Sequence, residues 1–552
     1  MNFIRFFCSE TNISWRPILI MAILSGVANG LLLGVINTSS ASAMNDSVST
    51  RHFLLYMVCM GVFFLSKKYA LTRAAVIVEE VLQAVRVRIA GKIRSSELLF
   101  IEKLGKPEIY TRLSQDMNLI SQSGIVIINA CQEAIMLVFC LVYIAYLSTI
   151  AFGITIGAIS LGVIIYFNHR KGVLKDLHAA TGKEAALLDS LNHVLDGFKE
   201  IKVNRKKSDS LYATFKGIAA ETEELKARTS VRFVTDIMFS QVFFYILIAS
   251  VIFLLPRFSF VMGDQIMKLT ASILFIVGPL DMLVSSVPII TRSNVSVDNL
   301  YKLEDMVDNS FKDMGEPDCF LIEQFRDFKE IKLTNCVFSY LDGENRPLFT
   351  VGPINMDIRR GEVLFLVGGN GSGKSTIVKL LTGLYYPVTG TIEVDGMVLN
   401  QQMYTSFREL FSIIFGDFHL FDRLYGLEDV DEKKVFELLK LMELEHKTRL
   451  TEGHFSTTDL STGQRKRLAL IVSLLEEKDI FVFDEWAADQ DPIFRKYFYD
   501  EILRDLKKQG KTVIAVSHDD RYFHLADRVV TMEYGRIDTI ETHDHPVNGK
   551  PS

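Results

Sequence analysis

Long apolar runs are separated by charged segments throughout the first half of the chain. An apolar run of about 20 residues can cross a lipid bilayer as a helix. Six runs approach this length, at residues 18–36, 53–71, 124–147, 150–167, 233–255 and 266–290. Residues 123–167 carry one charge, Glu133, and are too many for a single crossing, so we expect the chain to turn back near Ser148 and Thr149. The pattern predicts six membrane-spanning helices.

The distribution of Lys and Arg between these runs predicts their orientation. Residues 37–50 contain neither, whereas the polar segments that follow the second and fourth runs contain many. Positively charged loops stay on the cytoplasmic side of a membrane. We therefore expect a multi-pass membrane protein with both termini in the cytoplasm. The first run is longer than the apolar core of a cleavable signal and is expected to remain as an anchor.

The two cytoplasmic segments carry apolar residues at helical spacing. Val78, Val81, Leu82 and Val85 are one example. This period is that of an amphipathic helix, so the second and fourth spans are expected to continue as helices far below the membrane.

The pattern changes in the second half of the chain. Hydrophobicity falls and acidic residues appear between residues 292 and 325, which is typical of a linker. From Ile331 onward, short apolar strands alternate with helical patterns, as in α/β domains. We expect a helical transmembrane domain over residues 1–296, a linker over 297–325 and an α/β domain over 326–552.

Composition agrees with a membrane half joined to a soluble half. The chain has 552 residues, which is too long for a single core, and 49% of them are hydrophobic. A net charge of −6 gives no reason to expect a nucleic-acid partner. The six cysteines are scattered and form no C-x-x-C pair, so neither a disulfide framework nor a zinc site is expected.

A glycine-rich phosphate loop occupies residues 368–376, GGNGSGKST, between the apolar segments LFLV and TIVKLL. This strand-loop-helix context is the one that a P-loop requires. The glycines let backbone N–H groups surround phosphate, Lys374 can reach the β- and γ-phosphates, and Ser375 can bind Mg²⁺. The expected nucleotide ligands of the loop are Gly368, Gly369, Asn370, Gly371, Ser372, Gly373, Lys374, Ser375 and Thr376.

Two further motifs follow the phosphate loop in a fixed order. They are LSTGQ at residues 460–464 and FVFDE at residues 481–485. A phosphate loop by itself indicates only a nucleotide site. The three elements together predict an ATP-binding cassette that uses ATP and Mg²⁺.

The whole chain resembles an ABC exporter half-transporter, in which six spans precede one nucleotide-binding domain. The segments VGPINMDIRRGEVLFLVGGNGSGKST, LSTGQRKRLAL, FDEWAADQDP and SHDDRYFHLADR resemble the cyclic-peptide and siderophore-peptide exporter branch, which includes pyoverdine, syringomycin and microcin exporters. The resemblance implies a six-span, α-helical transmembrane domain of the type IV exporter kind, an α/β P-loop nucleotide-binding domain and ATPase activity coupled to transport. The motifs cover the ATPase domain densely, whereas the membrane half matches in layout.

The resemblance also implies roles for single residues. Tyr340 would stack on adenine, and an ordinary strand aromatic is the less favoured alternative. Asp484 would hold Mg²⁺ through water, and Glu485 would polarise the attacking water. Asp491 would lie in the loop that faces the opposite subunit. His518 would contact the γ-phosphate.

Two positions depart from the pattern of most ABC proteins. Thr462 replaces the first glycine of LSGGQ, while Ser461 and Gly463 remain and are expected to present a hydroxyl and a backbone N–H to the γ-phosphate. Gln464 also remains and is expected to be a nucleotide-binding residue. Gly416 occupies the position at which most relatives have a Mg²⁺-contacting glutamine. Coordination would then depend on Asp417, on water, or on Ser375 and Asp484 alone. The branch tends to lack this glutamine, so activity is still expected.

One cassette provides only half of each shared ATP site, so the resemblance implies a dimer, most simply a C2 homodimer. Residues 102–110 and 193–203 match the segments through which the family couples its spans to the ATPase. Glu133 and Asp281 are the candidate substrate-binding residues because charge in hydrocarbon is costly. Alternatively, they only form hydrogen bonds to neighbouring helices.

The sequence therefore predicts an ATP-driven exporter of small peptides, either cyclic or of the siderophore type. A lipid or multidrug exporter is the alternative within the same class. A membrane-bound ATPase that regulates a partner without transport is the alternative from another class. No leader-peptidase domain is expected ahead of the first span, which begins near residue 18.

Overall fold

The computed structural model describes residues 6–7, 10, 16–43, 50–254, 256, 263–310 and 317–543. The chain forms two compact units. The first comprises Met1–Ala90 and Lys106–Asp305, and the second comprises Gly91–Gly105 and Met306–Ser552. A short piece of the helical half, residues 91–105, therefore packs as part of the second unit.

The first half of the chain is helical. Its long helices are α1 (Arg16–Ala43), α2 (Thr50–Arg94), α5 (Met117–Leu147), α6 (Thr149–Asp196), α8 (Arg205–Ala249) and α9 (Gly263–Ser310). Short helices between them are α3 (Leu98–Leu104), α4 (Lys106–Thr111) and α7 (Phe198–Val203). Single wider helical turns span Arg112–Asp116 and Ser250–Leu254. Each of the six predicted runs falls largely on one long helix.

Several of these helices are long and apolar enough to cross a membrane. Among the described residues, four segments meet this description: Arg16–Ser39, Thr50–Arg94, Glu108–Leu147 and Gln265–Asn309. Two further apolar segments, Thr149–Ile164 and Gln241–Phe253, are shorter. The turn expected near Ser148 is present, because α5 ends at Leu147 and α6 begins at Thr149. The Ser148 hydroxyl caps α6 by accepting the Ala151 N–H at 3.3 Å. The helices also continue past the apolar runs, as their spacing predicts.

The segment predicted to be a linker is largely helical. Helix α9 continues to Ser310, and α10 (Cys319–Arg326) follows, with Asp318 as its N-cap. The fall in hydrophobicity after residue 292 marks the point within α9 at which a largely apolar helix becomes amphipathic. Its buried stripe consists of Val297, Leu300, Leu303 and Val307.

Helices α1 and α5 approach closely along a row of glycines. A Cβ atom on Gly30 would lie 2.2 Å from the Phe139 ring, and one on Gly26 would lie 2.7 Å from Ile135. The third glycine of the row, Gly34, has open space at this position. Small residues at such spacing let membrane helices pack against each other without a hydrophobic driving force.

The glycine row leads to a stability prediction. Gly30→Ala places a methyl group inside the Phe139 ring and is expected to destabilise the helical unit by about 1–3 kcal/mol, the usual effect of overpacking. Gly34→Ala is the matched control, because its methyl group meets nothing within 4 Å. The temperature at which detergent-purified protein stops eluting as a single species measures the effect. Equal midpoints for the two variants would contradict the close packing.

The second unit is an α/β fold with two main sheets. Its strands are β1 (Glu330–Leu341), β2 (Pro347–Arg359), β3 (Val363–Gly368), β4 (Thr389–Val394), β5 (Met397–Val398), β6 (Phe411–Ile414), β7 (Leu450–Thr451), β8 (His454–Phe455), β9 (Ile480–Asp484), β10 (Thr512–Val516), β11 (Arg528–Glu533) and β12 (Arg536–Thr542). Its α-helices are α11 (Lys374–Leu381), α12 (Tyr404–Arg408), α13 (Glu432–Leu441), α14 (Thr462–Leu475), α15 (Pro492–Tyr497) and α16 (Leu503–Lys508). Between these elements are 3-10 turns over Gln401–Met403, Trp486–Asp489 and Asp520–Leu525, and a wider turn over Phe498–Ile502.

The larger sheet has the strand order β12-β11-β3-β10-β9-β6. All of its pairings are parallel except that between β11 and β12. The smaller sheet, β2-β1-β4-β5, is antiparallel. Strands β3, β9 and β10 are buried along nearly their whole length, which explains the continuous apolar runs in their sequences.

Candidate active site

The predicted nucleotide residues lie at the carboxyl ends of neighbouring parallel strands. β3 ends at Gly368 and leads into the phosphate loop, and β9 ends at Asp484. His518 follows β10, and Gly416 follows β6. Because β3, β10, β9 and β6 are adjacent in that order, all four segments meet at one edge of the sheet. This edge is where open α/β sheets bind ligands.

Glycines shape the phosphate loop at two positions where a side chain would not fit. Gly368 has φ 145°, and a Cβ atom there would lie 2.3 Å from the Met532 carbonyl oxygen. Gly373 has φ 102° and is the N-cap of α11. The loop therefore leads directly into a helix N-terminus, where backbone N–H groups favour an anion.

Lys374 is held within this loop. Its Nζ atom donates to the carbonyl oxygens of Gly368 and Gly369 at 3.1 and 3.0 Å. Burial lowers the pKa of the Lys374 ammonium, an effect that the carboxylates of Glu485 and Asp484 oppose. Within the part of the chain that the structure describes, the buried Ser372 hydroxyl has no hydrogen-bond partner. A polar cradle with an unpaired donor is suited to phosphate.

Asp484 has the surroundings expected of a residue that binds Mg²⁺. Burial raises the pKa of Asp484, and the nearby Glu485 contributes in the same direction. Hydrogen bonding from the Ser375 hydroxyl and from the Gly416 N–H favours the charged carboxylate and acts to lower its pKa. The buried Oδ1 atom has no partner among the described residues. A divalent cation would complete this shell and stabilise the charged carboxylate, so the residues present fit Mg²⁺.

Asp417 is exposed in the turn after β6. Among the described residues, no group of three or more His, Cys, Asp or Glu side chains is placed to hold a metal ion. This arrangement is compatible with Mg²⁺ bound mainly by phosphate and water, as is usual for this ion. A direct role for Asp417 stays a prediction.

Glu485 and His518 are brought together by β9 and β10. The His518 Nε2 atom lies 3.0 Å from Glu485 Oε1. Their side chains are 42% and 43% exposed and border a cleft of about 450 Å³. Glu485 has φ 52° and ψ 31°, a left-handed conformation that is uncommon for a residue with a side chain. A carboxylate that contacts an imidazole beside a solvent cleft can polarise a water molecule.

Tyr340 lies against the helix that follows the phosphate loop. Its hydroxyl is 3.2 Å from the Thr376 hydroxyl, and its ring packs edge-on against Phe338 and Tyr385. This position is compatible with stacking on the base of a nucleotide held by the loop. The stacking itself stays a prediction.

The LSTGQ segment forms the start of α14. Ser461 is its N-cap, and Ser461 and Gln464 form a capping box. Ser461 and Thr462 are exposed. Gly463 packs closely, since a Cβ atom there would lie 2.9 Å from the Asp489 carbonyl oxygen. The segment therefore presents a helix N-terminus at the surface of the unit.

Asp491 is the N-cap of α15, the first α-helix after β9. Its Oδ1 atom accepts the N–H groups of Ile493 and Phe494, and its Oδ2 atom accepts Arg467 Nη2 at 2.5 Å. The Phe494 N–H and, more weakly, the Arg467 charge lower the pKa of Asp491. The residue is thus held between α14 and α15, and its role toward a second subunit stays a prediction.

Residues 98–104 pack on the ATPase fold within the second unit. Leu98 and Leu99 contact the cluster formed by Phe338, Leu380 and Tyr385. Glu102 Oε1 accepts Lys379 Nζ at 2.8 Å, and Glu102 Oε2 accepts the Tyr385 hydroxyl. The sequence predicted a coupling role for residues 102–110, but it did not identify Lys379 and Tyr385 as the partners of Glu102.

Lys466 is a site residue that the sequence did not single out. It lies in LSTGQRKR, its side chain is 3% exposed, and it contacts the main chain of Glu485. The sequence could have indicated its burial, because Lys466 lies four residues before Leu470 and therefore on the same, buried face of α14.

The candidate substrate residues lie in the helical unit. Glu133 is on α5, and its Oε1 atom is 4.0 Å from Lys67 Nζ on α2. Asp281 is exposed on α9, which runs as one helix through Pro279 and Pro288. Glu133 is therefore near a cation of its own chain, an arrangement that the sequence did not reveal.

The phosphate loop, Asp484, Glu485 and His518 share one sheet edge, so the second unit is a P-loop ATPase of the ATP-binding cassette class. A family model described as ABC transporter matches residues 351–488. The ATP-binding protein SyrD of Pseudomonas syringae pv. syringae is 30% identical over 94% of this chain and 93% of its own. A solved structure, that of a bacterial Atm1-family ABC exporter with ATP bound, matches with a TM-score of 0.77 at 17% identity. The match covers 97% of this chain and 96% of the chain in the solved structure.

The chain therefore belongs to the ABC transporter family, as an exporter half-transporter that hydrolyses ATP. The type IV exporter fold expected from the resemblance is confirmed by the Atm1-family match, and the chain is a multi-pass membrane protein. The nisin transport ATP-binding protein NisT of Lactococcus lactis subsp. lactis is 28% identical over 39% of this chain and 38% of its own. Since this match covers a minor part of each chain, it adds little about the spans.

Proposed function

We propose that the protein exports small peptides, cyclic or of the siderophore type, across the bacterial inner membrane as a homodimer. The supporting observation is the similarity to SyrD, which extends over nearly the whole of both chains and so includes the spans. The motif resemblance to the peptide-exporter branch points to the same substrate class. The similarity to the nisin transport protein, over 39% of this chain, agrees with it.

The ATP site would work through the residues that share the sheet edge. The phosphate loop, with Lys374, would bind the β- and γ-phosphates of ATP. Ser375 and Asp484 would hold Mg²⁺, which neutralises charge that develops on the phosphates. Glu485 would orient and deprotonate the attacking water, and His518 would contact both Glu485 and the γ-phosphate.

Asp417 leads to a metal-dependence prediction. If its carboxylate completes the Mg²⁺ shell in place of the missing glutamine, Asp417→Ala should raise the Mg²⁺ concentration that gives half-maximal ATPase activity. The shift should be about tenfold, the effect of losing about 1.4 kcal/mol. Asp422→Ala, an equally exposed acid of the same loop, is the control. An unchanged Mg²⁺ requirement in Asp417→Ala would assign the open coordination position to water.

Two copies of the chain would complete each ATP site. Exporters of this family typically function as dimers in the membrane. In the single chain, Glu485 and His518 remain about two-fifths exposed, whereas efficient hydrolysis needs a site from which bulk water is excluded. The exposed helix start at Ser461 and Thr462 offers the surface that would cap the nucleotide of a second copy.

Substrate would be bound by charged residues within the helical unit. At 4.0 Å, the pair formed by Lys67 and Glu133 is at the outer limit of an ion pair, so a cationic or hydrogen-bond-donating peptide can compete for Glu133. Asp281 is exposed on its helix and carries the same charge. In a C2 dimer both residues occur twice, which would favour peptides with several donors.

The substrate proposal is tested in a strain that lacks the gene. Mass spectrometry of cells and medium, under iron-poor and iron-rich growth, should show a peptide or its acylated precursor retained in the cells. Glu133→Gln and Asp281→Asn should each lower its export by about tenfold, as loss of about 1.4 kcal/mol of binding would, with basal ATPase activity preserved. Glu221→Gln is the control, because Glu221 pairs with Lys183 at the exposed surface of α8 and α6.

Normal secretion of every peptide in the deletion strain would contradict the peptide substrate. It would favour a lipid or multidrug exporter instead. Stimulation of ATPase activity by lipids or drugs, compared with peptides, separates these two alternatives. Retention of the peptide together with normal export by both charge variants would leave the substrate class standing and remove Glu133 and Asp281 from its binding site.

A further inference from the structure

Lys466 is a buried cation that reaches from α14, the helix that begins in the LSTGQ segment, to Glu485, the residue directly after β9. Its side chain is 3% exposed. Its Nζ atom donates to the Glu485 carbonyl oxygen at 2.8 Å and pairs with Asp489 Oδ2 at 2.7 Å. A desolvated ammonium group is stable only when its donors are paired, so these two contacts fix the side chain in one position.

The main chain that Lys466 contacts is in an unusual conformation. Glu485 has φ 52°, a left-handed value that is uncommon for a residue with a side chain and costs free energy. Its N–H donates to the Val516 carbonyl oxygen at 3.3 Å, and its own carbonyl oxygen also accepts the Ala488 N–H at 3.4 Å. Lys466 therefore supplies the shorter of the two hydrogen bonds to this carbonyl. The direction of the Glu485 side chain depends on this backbone.

Neighbouring contacts join the same two segments. The Trp486 indole N–H donates to the Lys466 carbonyl oxygen at 2.8 Å, and Gln490 Nε2 donates to the Gly463 carbonyl oxygen at 3.1 Å. Arg467 contacts both Gln490 and Asp491. These contacts hold the segments together without the Lys466 side chain, so the contact from the Lys466 ammonium to the Glu485 carbonyl has a separate effect. It fixes the residue that carries the catalytic carboxylate.

We propose that Lys466 is a positioning residue for Glu485 of the same protomer. It holds the Glu485 main chain in the left-handed conformation that directs the carboxylate toward His518 and the attacking water. The proposal rests on the role of Glu485 in the proposed function. In this role Lys466 acts through the carbonyl oxygen of Glu485.

Replacing Lys466 should leave the fold intact. Asp489 is 49% exposed, so water can solvate its carboxylate when the ammonium is removed. Lys466→Met keeps an unbranched side chain of similar length in the buried position. Lys466→Gln keeps a donor but no charge. The contacts made by Trp486 and Arg467 remain in both variants.

The test compares turnover with nucleotide affinity in the full-length protein. Lys466→Met should lower kcat by about 10- to 100-fold, the loss expected when a catalytic group is displaced by about 1 Å. Its dissociation constant for ATP should stay within about twofold, because the phosphate loop is untouched. Lys466→Gln should recover part of kcat. Lys507→Met, which removes a lysine that pairs with Asp527 at 2.5 Å, is the control and should keep the wild-type kcat.

Mixed dimers decide on which subunit Lys466 acts. With Lys466→Met and Glu485→Gln in the same protomer, the other site is intact and should match the turnover of a wild-type/Glu485→Gln dimer. With the two changes in different protomers, both sites are impaired and turnover should fall further. The reverse order would show that Lys466 acts on the nucleotide of the opposite subunit, and would overturn the proposal.

The possible failures are distinguishable. A wild-type kcat in Lys466→Met would overturn the positioning role and leave the proposed function unaffected. A parallel loss of kcat, ATP affinity and thermal stability would show a merely structural lysine and would equally overturn it. Absence of ATP hydrolysis by the unmodified protein would instead contradict the ATPase assignment on which the inference rests.

Discussion

Glu485→Gln is expected to lower the ATPase kcat by at least about 10², the contribution of a positioned general base. The amide has the shape of the carboxylate but cannot accept the proton of the attacking water. ATP binding should persist, because Lys374 and the phosphate loop do not depend on Glu485 for their contacts to Gly368 and Gly369. The variant should therefore trap a closed dimer with ATP bound. Single-turnover hydrolysis and nucleotide retention after gel filtration measure the two effects.

Glu477→Gln is a matched control for this substitution. Glu477 shares the left-handed φ of 52° and is exposed, but it pairs with Lys434 away from the sheet edge. Its kcat should equal that of the wild type. Near-normal turnover in Glu485→Gln would remove Glu485 from the role of general base.

Arg528→Met is expected to give the largest loss of stability in the ATPase unit, about 3–5 kcal/mol. Arg528 and Glu362 are each 8% exposed, and Arg528 donates to Glu362 at 2.7 and 3.0 Å and to Asp357 at 3.0 Å. Removing the guanidinium leaves the Glu362 carboxylate buried without a cation, with the Arg359 N–H still donating to its Oε1 atom. The temperature at which the full-length protein loses ATP binding should fall. Arg346→Met, which removes an exposed arginine paired with Asp342 and Glu344, should change it little.

The same ion network has a defined pH dependence. Burial is the largest single influence and would raise the pKa of Asp357, but the charge and the hydrogen bond of Arg528, together with the charge of Arg359, lower that pKa below its usual value. A group with a lowered folded-state pKa stabilises the protein fully above its unfolded pKa and loses this contribution as the pH falls through the folded value. The difference between wild type and Arg528→Met should therefore be constant near neutral pH and shrink only in acid. A maximum difference at acidic pH would contradict the assignment.

The sequence predicted the parts of the site that depend on local spacing. The phosphate loop and the strand that ends at Asp484 are each encoded within a few consecutive residues. The strand order then brings them together, as the α/β pattern predicts. The turn at Ser148 followed from length alone, since the apolar stretch around it exceeds one crossing.

Features that depend on tertiary packing were not predictable in this way. The segment after Arg292 has the composition of a linker, yet Val297, Leu300, Leu303 and Val307 form a buried helical stripe. Glu133 has the sequence context of an isolated charge, and only the packing of α5 against α2 reveals Lys67 beside it. Such pairs depend on which faces of two helices meet, which a single sequence does not specify.

The central claim is that ATP hydrolysis at this site drives peptide export, and inside-out membrane vesicles test it most directly. The probe is the peptide fraction that wild-type cells secrete and the deletion strain retains. Vesicles that contain the wild-type protein should accumulate this fraction when ATP and Mg²⁺ are supplied, and those that contain Glu485→Gln should not. Equal peptide uptake by the two kinds of vesicle, or no ATP-dependent uptake by the wild type despite active ATP hydrolysis, would contradict the account.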